Sequence, residues 1–340
     1  MKRIMAVVIS LILLFSITGC STDAFKAYRE AREKTSGITQ GHLIQEIIIE
    51  NKYNTEGLSD EDIKELSYFN QIQSKMDIVF KEDKGNTKII SRNYFNLGGL
   101  GFDSAFYKDK ERMYIKTPIL GKYVVLDEFL ENGEKTDIFG DRDNEGNHFE
   151  EQIISKIGEI WVGVLKEKDV VSGKKTLLST EDGEVKATEF SIDPSEEQIK
   201  ELMKEVATLL SANEEFKQMI ALVYGNNKEE KIETESIFQD FINKIDDINV
   251  SGFKYTGYID IDGYITQEEI SLIISNEKAK SKEIKESNIS IKIKNLSIER
   301  EQAFDFPDLN ENNTLDIEYL KGGMPFMLEG FFNKTEGGAK

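Results

Sequence analysis

The sequence predicts an α+β fold in which a large antiparallel β-sheet is covered on one face by helices. Three observations lead there. Runs rich in β-branched and aromatic residues, separated by Gly, Asn and Asp turns, fill the first and last parts of the chain. Between them, over residues 148–248, the apolar period lengthens from that of a strand to that of a helix. The order holds neither a β-α-β alternation nor a short repeat, so the strands should pair as hairpins and meanders.

The chain opens on a different signal. Lys2 and Arg3 precede an apolar run over 4–15 that only Ser10 interrupts. A membrane span needs roughly 20 apolar residues, so this reads as the charged start and short core of a secretory signal. Ile17-Thr18-Gly19-Cys20 follows and resembles the lipobox of bacterial lipoproteins, with Ile17 where Leu is usual. Cys20 is the single cysteine of the chain, which excludes internal disulfides and thiolate metal clusters. The resemblance implies a signal peptide over 1–19 and a diacylglyceryl cysteine at Cys20, with acyl chains such as palmitate. It places the body at the extracytoplasmic face of the cell membrane. Two acyl chains are what stable anchoring requires.

A short helix is expected next over 24–35, with Phe25, Ala27, Tyr28 and Ala31 on one side. A long strand follows over 38–50. Residues 59–72 read as a helix, with Ser59 as cap and Asp62 at the third helical position. Strands are expected over 75–80, 87–97, 102–108, 112–117 and 122–126, with turns at 84–86, Gly98-Gly99, Asp109-Lys110 and 118–121. A helix over 148–165 carries Phe149, Ile153, Ile157, Ile160, Trp161 and Val164 on one stripe. A hairpin around Asp182-Gly183 occupies 176–192. Asp193-Pro194-Ser195-Glu196 then begins a long helix, read with Asp193 as cap and an apolar stripe running from Ile199 to Val223. One more amphipathic helix spans Ile237 to Ile248.

Strands return over 253–261 and 264–275, flanking Asp262-Gly263. A two-residue turn there pairs Phe253 with Leu272, Lys254 with Ser271, Tyr255 with Ile270 and Thr256 with Glu269. The last strand, 288–298, changes phase near Asn295, which reads as a bulge. Residues 20–318 thus form one domain with a helical middle section at 148–248. An apolar tail over 319–340 ends the chain.

This layout resembles the LolA/LppX/LprG-like superfamily of exported lipoproteins. The matching features are the helix at 24–35, the strand from Ile38, the run from Met113-Tyr114-Ile115-Lys116 through Lys122-Tyr123-Val124-Val125-Leu126, and the final strand followed by Phe304-Asp305-Phe306-Pro307-Asp308-Leu309. The resemblance implies a large curved antiparallel β-sheet with helices packed on its concave face. It also implies an apolar cavity between sheet and helices that holds a lipid or other amphiphile.

Charge narrows the partners. The chain has 63 acidic against 43 basic residues, a net charge of −20, so a nucleic-acid backbone repels it, as does an anionic lipid surface. The lipid at Cys20 must then do the anchoring. Enzyme signatures are missing: no Gly-x-Ser-x-Gly, no phosphate-binding Gly-Lys loop and no His-Glu-x-x-His occur. The two histidines, His42 and His148, read as structural. No catalytic residue and no cofactor are expected. Calcium is the sharper alternative. Asp141, Asp143 and Glu145 fall at the first, third and fifth positions of an EF-hand-like loop, but Gln152 stands at the twelfth. Asp260, Asp262 and Glu269 fit a second such loop whose first position is Tyr258. A hairpin explains that Asp-Gly equally well. The expectation is a noncatalytic, membrane-anchored amphiphile-binding protein. The alternative is a cell-surface interaction or sensory module without a small ligand, stabilised by calcium.

Overall fold

Strands built on alternating side chains pair wherever two such runs are joined by a tight turn, and this chain does so repeatedly. The computed structural model describes residues 23–83, 86–110, 112–116, 121–125, 148–181, 183–213, 216–217 and 234–315. In chain order these form α1 (Ala24–Ser36), β1 (Gln40–Tyr53), α2 (Asp60–Ser67), β2 (Gln71–Asp83), β3 (Asn86–Leu97), β4 (Leu100–Asp109), β5 (Arg112–Lys116) and β6 (Tyr123–Val125). Then come α3 (His148–Val164), β7 (Val170–Thr180), β8 (Gly183–Ile192), α4 (Glu196–Ser211), α5 (Thr234–Lys244), β9 (Asn249–Asp260), β10 (Ile265–Ser275), β11 (Ile284–Leu296) and β12 (Thr314–Leu315).

All twelve strands join one open sheet in the order β12-β6-β5-β4-β3-β2-β1-β11-β10-β9-β8-β7. Every pairing is antiparallel except that of β12 with β6. The two halves meet where β1 pairs with β11, from His42 opposite Leu296 to Tyr53 opposite Ile284. The α+β class and the antiparallel sheet are as the sequence predicts.

Carrying the side-chain alternation from strand to strand through the register defines two faces. One face, at the β7–β10 end, packs against helices. Tyr28 and Ala31 of α1, Trp161 and Val164 of α3 and Ile199 of α4 share a buried cluster with Phe190, Ile192, Tyr255 and Ile265 of the sheet. The other face carries a smaller core over β3–β6. There Ile90, Tyr107 and Tyr114 are covered by Phe304, Phe306 and Leu309, from an irregular strap that runs across the sheet before β12.

Several sequence expectations are corrected. The helix expected over 59–72 ends at Ser67. Ser59 and Asp62 form the capping box as expected, but Gln71 and Ile72 belong to β2, where they pair with Glu50 and Ile49 of β1. The β4–β5 turn sits one residue later than Asp109-Lys110: Asp109 pairs with Arg112, and Lys110 takes the positive φ. Ser195, not Asp193, caps α4, because its side chain accepts from the Gln198 N–H while Gln198 reaches back to the Ser195 N–H. That helix stops at Ser211, and its expected continuation over 218–223 lies outside the described residues.

The β9–β10 hairpin differs in an instructive way. Its loop has three residues: the Gly263 N–H bonds the Asp260 carbonyl, and Asp260 and Tyr264 face each other at the strand ends. Gly263 has φ +86°, the left-handed residue that closes a three-residue loop. One extra residue at Thr266 then restores the expected register, so Tyr255 still faces Ile270, Lys254 still faces Ser271 and Thr256 still faces Glu269. The fourth expected pair, Phe253 with Leu272, is lost to a second irregularity beside Gly252. The bulge expected at Asn295 is absent. β11 pairs regularly with β1 through Leu296, and the chain turns away at Ser297, whose φ is +47°.

Candidate functional site

The strands β2–β5 build a groove of about 470 Å³ on the face opposite the helices. Its floor follows from the register. One row across the sheet reads Asp77, Arg92, Ala105, Lys116 and Tyr123. The next reads Val79, Ile90, Tyr107, Tyr114 and Val125, and the row on the other side holds Lys75, Tyr94 and Asp103. Ala105 is the small residue among long neighbours, and the hollow lies there. Arg92, Tyr94, Asp103, Tyr107 and Lys116 line it.

Aromatic packing stiffens one wall. Tyr107 and Tyr114 stack at 4.9 Å and 12°, and Tyr123 meets both edge-on at 6.0 Å. Burial pushes the Tyr107 hydroxyl above its ordinary range, while Arg92 and Lys116 pull it back down. Burial, then the neighbouring Tyr107 and Asp109, push Tyr114 up to about 12. Both are therefore protonated at neutral pH. The charges at the rim are unevenly used. Asp77 lies 3.1 Å from His42 Nε2, and Lys75 pairs with Glu46 at 3.2 Å. Lys116 sits 5.1 Å over the Tyr123 ring. The Arg92 guanidinium has no ion pair and no hydrogen bond among the described residues, and the Tyr107 hydroxyl has no hydrogen bond there either.

A second polar cluster lies in the helix-side core. Trp161 Nε1 donates to the Tyr28 hydroxyl at 2.8 Å, and Tyr255 donates to Glu268 Oε1 at 2.7 Å. Arg32 approaches the same carboxylate at 3.9 Å. Burial pushes Tyr28 and Tyr255 up, so both stay protonated. Each polar end is matched inside the protein. The cluster locks α1 to the sheet.

The other sequence candidates fall as follows. Cys20, Asp141, Asp143 and Glu145 lie outside the described residues, as does the tail over 319–340. Asp260 accepts from the Asp262 and Tyr264 N–H groups, both at 2.9 Å, so its carboxylate closes the turn. The Asp262 carbonyl accepts from Lys34, and Glu269 pairs with Lys292 at 2.8 Å. Among the described residues no group of three His, Cys, Asp or Glu gathers that could hold a metal. No helix among them is long and apolar enough to cross a membrane. His42 faces Asp77, and His148 opens α3. Sequence reasoning missed Arg92, Ala105, Tyr107 and Lys116. The signal that could have found them is the β4–β5 turn placed one residue later, which sets Tyr107 opposite Tyr114 and Ala105 opposite Lys116.

No protein-family profile matches the chain, and no curated protein does. Among the solved structures that align, an N-terminal dehydratase from a difficidin assembly line does so over 90% of this chain and 86% of its own, at 10% identity and a TM-score of 0.13. A likeness at that level carries no argument about fold or chemistry.

Proposed function

We propose that the chain is an extracytoplasmic lipoprotein, held to the membrane by a diacylglyceryl group on Cys20, that binds a lipid or other amphiphile without catalysis. The groove over β2–β5 is the observation that carries this reading. Its volume suits a small ligand, its floor is a methyl group beside tyrosine rings, and its rim is charged. In this proposal the sheet is curved and the helices pack on its concave side, as in LolA-like proteins. The ligand place does not follow from that resemblance, since the groove is on the face away from α1, α3 and α4.

Native mass spectrometry of the chain, purified gently from its own host, tests the reading. A bound amphiphile beyond the anchor mass is expected, and its loss in Ala105→Trp, which fills the hollow, ties it to the groove. A bare chain, or an adduct untouched by Ala105→Trp, rejects the assignment.

A second reading, a cell-surface interaction module, has its own observation. Ile63, Tyr68, Phe95 and Leu100 are all exposed near the β3–β4 turn and α2, and clustered exposed apolar side chains mark protein contacts. A protein partner retained in place of an amphiphile in the same experiment favours it.

A further inference from the structure

Several lysines elsewhere on this acidic chain pair with carboxylates, among them Lys52 with Glu286, Lys204 with Asp246, Lys282 with Asp62 and Lys294 with Glu181. In the groove Lys75 does the same with Glu46, whereas Arg92 and Lys116 have no ion pair among the described residues. These two cations stand in one cross-strand row with only the Ala105 methyl between them. Strands are spaced about 4.8 Å apart, so the two residues start about 10 Å apart, and their long side chains can close on one group held between them. Of the carboxylates nearby, Asp77 stands opposite Arg92 in the same row with one oxygen 3.1 Å from His42 Nε2, and Asp103 stands one row away opposite Tyr94. Asp305 on the strap adds an opposing charge at the Tyr107 end. Tyr107 lines the same hollow, and its hydroxyl has no hydrogen-bond partner among the described residues.

We propose that this row is an anion site, in which Arg92, Lys116 and the Tyr107 hydroxyl hold a carboxylate or phosphate group above Ala105. The proposal rests on the amphiphile-binding reading and names its headgroup as anionic. A guanidinium matches either anion with two parallel hydrogen bonds, the ammonium adds a point charge, and the phenol adds a neutral donor. The parts of Tyr94 and Tyr107 that line the hollow take the first carbons of the attached chain.

The test is calorimetric titration of the full chain in phosphatidylcholine nanodiscs, blanked against empty discs. The probes are hexyl phosphate, hexyltrimethylammonium and inorganic phosphate. Hexyl phosphate is expected to bind, more weakly as salt rises, and the cation is not. Arg92→Ala should raise its Kd tenfold or more, Arg92→Lys less, and Tyr107→Phe several-fold with its ring stack kept. Lys292→Ala, in another part of the sheet, should change nothing. Equal binding of phosphate and ammonium probes, or an Arg92→Ala variant that binds as before, overturns the anion site while leaving the amphiphile reading intact. Binding of inorganic phosphate as tightly as hexyl phosphate, with the same Arg92 dependence, keeps the anion site and removes the amphiphile. Binding of no probe rejects both.

Discussion

Asp260 shows how much one side chain can set. Its carboxylate accepts two N–H groups of the hairpin loop, and the loop tip in turn receives Lys34 from α1, whose ammonium lies 4.2 Å over the Tyr264 ring. Asp260→Ala should therefore destabilise by about 1 kcal/mol in chemical denaturation. Asp262→Asn should be nearly silent, and Gly263→Val should cost about 1 kcal/mol or more, because φ there is +86°. A calcium-dependent rise in melting temperature that vanishes in Asp262→Asn would contradict the turn assignment. Tyr28 is the buried counterpart. In Tyr28→Phe the Trp161 N–H loses its acceptor in a dry site, a loss of about 1–3 kcal/mol. An unchanged denaturation midpoint would mean that the bond holds nothing. Both residues were partly legible in the sequence. Tyr28 and Trp161 stood on apolar stripes, and Asp-Gly announced a turn. The length of that turn was not, because two- and three-residue loops give the same pairs once the Thr266 bulge has absorbed the difference.

Elements were legible where their ends carry chemistry. The Ser59–Asp62 capping box fixed where α2 starts, whereas its C-terminal end had no such mark and was read too long. The box is also tied to a distant loop: Lys282 donates to Asp62 at 2.7 Å. That bond first, and the Ser59 hydroxyl second, hold the Asp62 carboxyl down at about 2. A depressed folded-state value stabilises α2 above the ordinary aspartate range near ~3.9 and loses that contribution as pH falls through the folded value. Carbon-13 titration of Asp62 should show a midpoint near 2 that returns toward the ordinary range in Lys282→Ala. An ordinary midpoint in the parent would show that the pair does not persist in solution. Strand ends behave in the same way. β11 looked bulged because Leu296 and Ile298 broke the alternation, but the strand simply ends there, and no sequence period separates those two cases.

Over the whole molecule, what sequence periodicity conveys is which residues share a face within one strand. The groove needs residues that share a row across strands. Arg92, Ala105 and Lys116 are separated by hairpins, and their alignment depends on two turns being placed to the residue. The resemblance to LolA-like proteins put a cavity between sheet and helices. At that end Tyr28, Ile192, Ile199 and Tyr255 are almost wholly buried and close-packed. The anchor is a separate matter. Cys20→Ala should abolish metabolic labelling with an alkynyl fatty acid and release the chain from the membrane fraction, and equal labelling of mutant and parent would remove the lipoprotein reading. Amide chemical-shift mapping during hexyl phosphate titration locates the binding place residue by residue. The shifts are expected to follow the row through Arg92, Ala105 and Lys116 and the adjacent Tyr107. Shifts gathered instead around Trp161, Ile199 and Tyr255, beneath the helices, would contradict this binding place.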